Sequence, residues 1–183
     1  MTLLSRTLGS RRFASLAFAT LLATAGFTSA AQAADPKVLG AFGDWTAYTV
    51  QEGGEPVCYV ASQPTKADGD YAQRGNIYAL ITHRPKDKNA LYVVSIVAGY
   101  PYKANSQTSI AIGKKEWQLF TKGERAWAHD SDTDKAIADG MRKGASMVIT
   151  GTSQKGTKTN DTYSLRGFGQ ALDAINKACN VTK

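Results

Sequence analysis

An all-β domain, a sandwich or flattened barrel with two short accessory helices of which one is C-terminal, is the fold class this sequence predicts. Three observations carry it. Short runs rich in β-branched and aromatic residues recur between turn residues through most of the chain. All five prolines, Pro36, Pro56, Pro64, Pro85 and Pro101, fall between apolar segments, where each marks a boundary. Helical periodicity appears in only two short stretches, both after residue 130.

The elements follow in order. Arg6, Arg11 and Arg12 precede an uncharged, largely apolar run from Phe13 to Phe27, and Ala31-Gln32-Ala33 supplies a small-residue exit, so residues 1–33 read as a secretory signal peptide. The apolar run is shorter than the ~20 residues that span a bilayer. General secretion is expected, with Ser10-Arg11-Arg12-Phe13 only a faint hint of twin-arginine export. The domain is then 34–183, a single unit, since no linker divides it. Expected strands are Phe42 to Val50, Val57 to Ser62, Ile77 to Arg84, Leu91 to Ala98, Thr108 to Ile112, Glu116 to Thr121 and Arg125 to His129. Leu91 to Ala98, apolar on both faces, belongs in the middle of the core. A helix follows from Ser131–Thr133, whose oxygens offer caps, to about Arg142, with Gly144 just beyond. Ser146 to Thr152 and Thr162 to Arg166 form a hairpin around the polar segment Gln154-Lys155-Gly156-Thr157-Lys158, which should be exposed. A terminal helix, from about Phe168 to Cys179, aligns Phe168, Leu172, Ile175 and Cys179 on one stripe.

Removing the three leader arginines leaves 19 Lys and Arg against 15 Asp and Glu, so the net charge falls from +7 to a mild +4. Nucleic acid is a poor partner for an exported chain of that charge. The excess lies C-terminally: seven cations face two acids from Arg142 to Lys183. Arg142, Lys143, Lys155, Lys158 and Arg166 can form a local positive surface for an anionic component, or merely a solvated face. Cys58 and Cys179 are the only cysteines, and in an oxidising compartment they are expected to form one long-range disulfide tying the terminal helix to a strand. With His83 and His129 they show no close ligand pairs, so no metal or other cofactor is expected.

The familiar catalytic and ligand-binding patterns are incomplete. Asp130-Ser131-Asp132-Thr133-Asp134 opens like a calcium loop, but Lys135 stands where the turn glycine belongs and Met141 where the bidentate glutamate belongs. Gly151 to Thr157 imitates a phosphate loop without its lysine and joins two strands. No nucleophile elbow is present. The aromatic set Tyr71, Tyr78, Tyr92, Tyr100 and Tyr102 beside Arg74, Arg84 and Lys103 is a better candidate surface for sugars, peptides or anions, the alternative being tyrosines that simply edge a sandwich.

Phe42-Gly43-Asp44-Trp45-Thr46 behind a signal peptide resembles the opening of the invasion-associated locus B family of exported alphaproteobacterial proteins. The second resemblance is longer: Met141-Arg142-Lys143-Gly144, Gly151-Thr152-Ser153, Gly156-Thr157, then Tyr163-Ser164-Leu165-Arg166-Gly167-Phe168 up to Cys179. The family implies a periplasmic, surface-associated or secreted β-rich protein, named for a role in host-cell entry, with no known catalytic mechanism. Its motifs read as scaffold: Trp45 fills the core, Gly43 permits close approach, Asp44 meets a backbone group or charge, and Gly167 with Phe168 opens the terminal helix. The expected function is thus a noncatalytic envelope or surface binding protein with an unidentified partner. A periplasmic hydrolase of a glycan or ester, or a carrier of a small apolar ligand, is the rival.

Overall fold

The computed structural model describes residues 35–182, so the expected leader lies outside the described residues. Eleven strands and two α-helices follow one another: β1 (Lys37–Phe42), β2 (Trp45–Glu52), β3 (Glu55–Ser62), β4 (Lys66–Gly69), β5 (Tyr78–His83), β6 (Val93–Val97), β7 (Thr108–Ile112), β8 (Lys115–Lys122), β9 (Arg125–Trp127), α1 (Ser131–Lys143), β10 (Ser146–Thr152), β11 (Lys158–Ser164) and α2 (Phe168–Ala178). They form one open sheet in the order β1-β2-β3-β5-β6-β9-β8-β7-β10-β11-β4, and every pairing is antiparallel.

No ladder among the described residues closes this sheet, yet its two ends meet. The Trp45 indole N–H donates to the Ser164 carbonyl at 2.9 Å, joining β2 to β11. The Asp44 amide donates to the Arg166 carbonyl at 3.1 Å. The sheet is therefore folded over into a flattened form in which inward residues from both ends share a core.

Alternation along the strands selects that core. Ala79, Ile81 and His83 of β5, Met147, Ile149 and Gly151 of β10, and Thr159, Asp161 and Tyr163 of β11 are buried in strict every-other-residue order. β6 is buried at Val94, Ser95 and Ile96 because it has strand neighbours on both sides and α1 packed against it. Helix α2 buries Phe168, Ala171, Leu172 and Ile175 against β1, β2 and β3, where Phe168 meets Trp45 edge to face at 5.0 Å. The Cys58–Cys179 disulfide fastens the end of α2 to β3 across 121 residues of sequence.

The two ends of the sheet lock through glycine. Gly43 has φ +58, and a Cβ there would lie 2.5 Å from the Arg166 carbonyl oxygen; Gly167 has φ +85, and its Cβ would lie 2.0 Å from the Phe42 carbonyl oxygen. Each turn thus presses its backbone into the other, which no side-chain-bearing residue permits. Arg166 then pairs with Asp44 at 3.0 Å, and that bond holds the Asp44 carboxyl below its ordinary pKa.

Several boundaries differ from the sequence reading. The strand expected from Phe42 to Val50 is interrupted by the Gly43-Asp44 turn and belongs to two strands. β1 and β4 were not anticipated: β1 carries a register shift between Val38 and Gly40, and β4, Lys-Ala-Asp-Gly, has no β-branched or aromatic residue. Pro56 lies within β3 rather than before it, at a place where pairing with β5 has not begun, since that ladder starts at Cys58. The cap of α1 is Asp130, whose carboxylate accepts from the Thr133 amide at 2.7 Å, which accounts for the acidic cluster without a cation.

Candidate functional site

Beyond the edge strand β4, the chain loops through Asp70 to Gly75 before entering β5. Two other segments meet it: Gly99-Tyr100-Pro101, after β6, and the β10–β11 hairpin loop. The Gly75 amide donates to the Gly99 carbonyl at 2.9 Å, and the Gln154 amide to the Pro101 carbonyl at 2.8 Å. The Thr157 hydroxyl reaches the Asp70 carbonyl at 3.3 Å. A cleft of about 610 Å³ opens between them, walled by Tyr71, Tyr100 and Pro101 and bordered by Gln73, Gln154 and Lys155.

Arg74 forms the floor. Its guanidinium makes paired bonds of 2.6 and 2.5 Å to the two oxygens of Asp161, while Nε donates to the Ala98 carbonyl at 2.7 Å. Both charged side chains are only 3% exposed. The guanidinium carbon also lies 5.3 Å from the centre of the Tyr71 ring and 4.9 Å from that of Tyr100, so one cation orients both aromatic walls. Tyr100 further bonds Thr159 through hydroxyls 2.6 Å apart. Tyr102 lies beneath, edge to face with Tyr100, and burial pushes the ionisation of both phenols upward. Gly151 makes room for the pair: a Cβ there would stand 2.5 Å from the Tyr100 hydroxyl.

The candidate residues from the sequence separate into groups. Tyr100 and Lys155 line the cleft; Lys103 is exposed beside it, its amide bonded to the Thr152 carbonyl at 2.9 Å, and Lys158 is exposed at the start of β11. Tyr102 is 8% exposed and supports the wall from inside. Arg142 and Lys143 lie at the opposite end of β10, whose seven residues extend roughly 23 Å. There Arg142 is paired with Asp173 at 2.6 Å and Arg166 with Asp44. The hairpin therefore divides the cations between its two ends, leaving Lys155 and Lys158, which have no ion-pair partner among the described residues, near the cleft. Of the other aromatics, Tyr92 packs on His83, and Arg84 pairs with Glu52 at 3.2 Å.

The histidines are differently employed. His83 is fully buried; its Nε2 lies 2.8 Å from the Asn176 Oδ1 and its Nδ1 accepts from the Tyr92 amide at 3.0 Å, which defines a neutral tautomer with Nε2 protonated. Burial lowers its pKa. His129 is exposed and leans on Phe120 at 5.5 Å. No group of three or more His, Cys, Asp and Glu side chains among the described residues could hold a metal ion. Among them, too, no helix is long and apolar enough to cross a membrane.

Sequence reasoning missed Asp161. The available signal was its place between Thr159 and Tyr163 on one alternating face, which turns a carboxylate into the core and demands a cation there.

The family model described as Invasion associated locus B (IalB) protein matches residues 45–176. The chain belongs to the invasion associated locus B family. A crystal structure of invasion associated protein b from Bartonella henselae has a similar fold, with a TM-score of 0.56 at 17% identity, covering 77% of this chain and 96% of that one. No curated protein matches. The resemblance noted in the Phe42–Thr46 and Tyr163–Phe168 motifs thus agrees with the family match, and the structure brings these two motifs into contact.

Proposed function

We propose that this IalB-family protein is exported, is cleaved near Ala33, and works without catalysis as a binding protein of the bacterial envelope or surface. Its partner is an anionic component of the envelope or of a host surface, received at the cleft beside the hairpin loop. One observation carries this reading: two tyrosine faces are held open over a buried, already neutralised Arg74–Asp161 pair, with the ammonium of Lys155 at the mouth. Such a floor supplies shape rather than net charge, so the attraction for an anion comes from Lys155, with Lys103 and Lys158 nearby. The disulfide and the IalB membership support placement outside the cytoplasm.

The test uses Lys155→Gln with Lys158→Gln, a pair of exposed substitutions. Association of the folded double variant with isolated envelopes is expected to be weaker than that of the parent, and the parent's association is expected to fall as salt rises. Equal association of the two proteins across the salt series would overturn the cleft assignment. Mass spectrometry of the envelope fraction reads the cleavage site independently.

A further inference from the structure

A second depression lies where the outer face of the β8–β9 hairpin meets the start of α1. Phe120 and Trp127 are register partners and stack with ring centres 5.6 Å apart; His129 joins the same row at 5.5 Å from Phe120. Phe120 is 44% exposed, one of only two large hydrophobic residues so exposed among the described residues. The depression measures about 600 Å³, within the range of small-ligand sites.

Its rim is polar and unoccupied by internal bonds. The Trp127 indole N–H, the Asn89 side-chain amide, the Lys122 ammonium and the Ser131 hydroxyl make no hydrogen bond or ion pair within the described residues. An apolar ligand would strip water from these groups without replacing it. An anion would gain Lys122 but meet Asp130 and Asp134, which line the same depression. A neutral polyhydroxylated ring satisfies both parts: its C–H face packs on the aromatic rings while its hydroxyls reach donors and acceptors at the rim.

From this geometry we infer that the Phe120–Trp127–His129 surface is a binding site for a neutral saccharide chain. Phe120 and Trp127 supply the stacking surface; Asn89, Lys122 and Ser131 supply the rim bonds. The site is separate from the proposed anion-binding cleft, so Lys155 and Lys158 take no part in it.

Calorimetric titration with neutral tetrasaccharides of β-1,4-glucose, α-1,4-glucose and β-1,4-N-acetylglucosamine tests the inference. At least one is expected to bind saturably, with Phe120→Ala weakening it about tenfold and Lys155→Gln with Lys158→Gln leaving it unchanged. Phe120 is exposed, so circular dichroism and the urea midpoint of Phe120→Ala should match the parent. A parallel Lys122→Met variant, which keeps the stem and removes the ammonium, should weaken binding without affecting the fold. Absence of saturable binding by all three sugars at millimolar concentration overturns the inference. So does self-association of the parent that Phe120→Ala abolishes, which would make the surface a contact between copies.

Discussion

Replacing Arg74 with Met should be among the most damaging single changes available to this protein. Asp161 has Arg74 as its hydrogen-bond partner on both oxygens, at 2.6 and 2.5 Å, and both side chains are 3% exposed. Removing the cation leaves a carboxylate in the core. Breaking such a pair from one side costs about 3–5 kcal/mol, a large part of the roughly 5–15 kcal/mol by which domains are stable. The lost bond from Nε to the Ala98 carbonyl adds about 1 kcal/mol. With a urea slope near 2 kcal/mol/M, the midpoint should fall by about 2 M. Changing both partners, Arg74→Met with Asp161→Leu, removes the stranded charge and should cost far less than Arg74→Met alone. Urea unfolding, followed by the fluorescence of buried Trp45, measures all three proteins. A loss below about 1 kcal/mol for Arg74→Met would refute the claim that this pair is desolvated.

Four further outcomes are expected. Gly167→Ala should prevent stable folding, because its Cβ would meet the Phe42 carbonyl at 2.0 Å from a backbone with φ +85; soluble expression with a cooperative melt would count against the interlocked turns. Cys58→Ser should cost up to about 5 kcal/mol in the chain-entropy account of a 121-residue span, and hydrogen exchange should rise in α2 before the central strands. Burial pushes Asp134 up to about 6 from 3.8 although its carboxylate accepts from the Val94 amide at 2.8 Å, so the native protein should gain stability from this group as pH falls from 6 toward 4. Asp134→Asn keeps the acceptor and should stabilise by about 1–3 kcal/mol above pH 6, an advantage that vanishes near pH 4. His83 has the opposite sign: its lowered pKa withdraws stability as pH drops below about 6.5, and thermal melts of the Asp134→Asn variant across pH should show that loss without the opposing gain from Asp134.

Local regularities were legible in advance because they depend on near neighbours in the chain. Short β-branched and aromatic runs between turn residues located β5, β6, β7, β8 and β10, and the stripe from Phe168 to Cys179 located α2. The cysteines, once placed on that stripe and on β3, left one pairing, which the structure contains. β4 escaped detection because its four residues become a strand only by pairing with β11, and β1 because its register shift breaks the alternation.

The binding surfaces were legible only in fragments. Tyr100, Arg74 and Lys155 each drew notice as residue types, but the cleft exists because the fold brings three loops together from distant parts of the sequence, and no periodicity encodes that meeting. Seven cations lie between Arg142 and Lys183, yet charge along a chain carries no information about its partners across space: Asp44 and Asp173 neutralise Arg166 and Arg142. Sequence by itself determined the class of fold, the disulfide and the family, since these rest on recurring β-branched and aromatic runs, on a pair of cysteines and on contiguous motifs. Tertiary structure alone decided that Asp161 would be answered by Arg74 and that Phe120 would lie beside Trp127, because long-range packing chooses which buried charges meet and which aromatic faces remain uncovered.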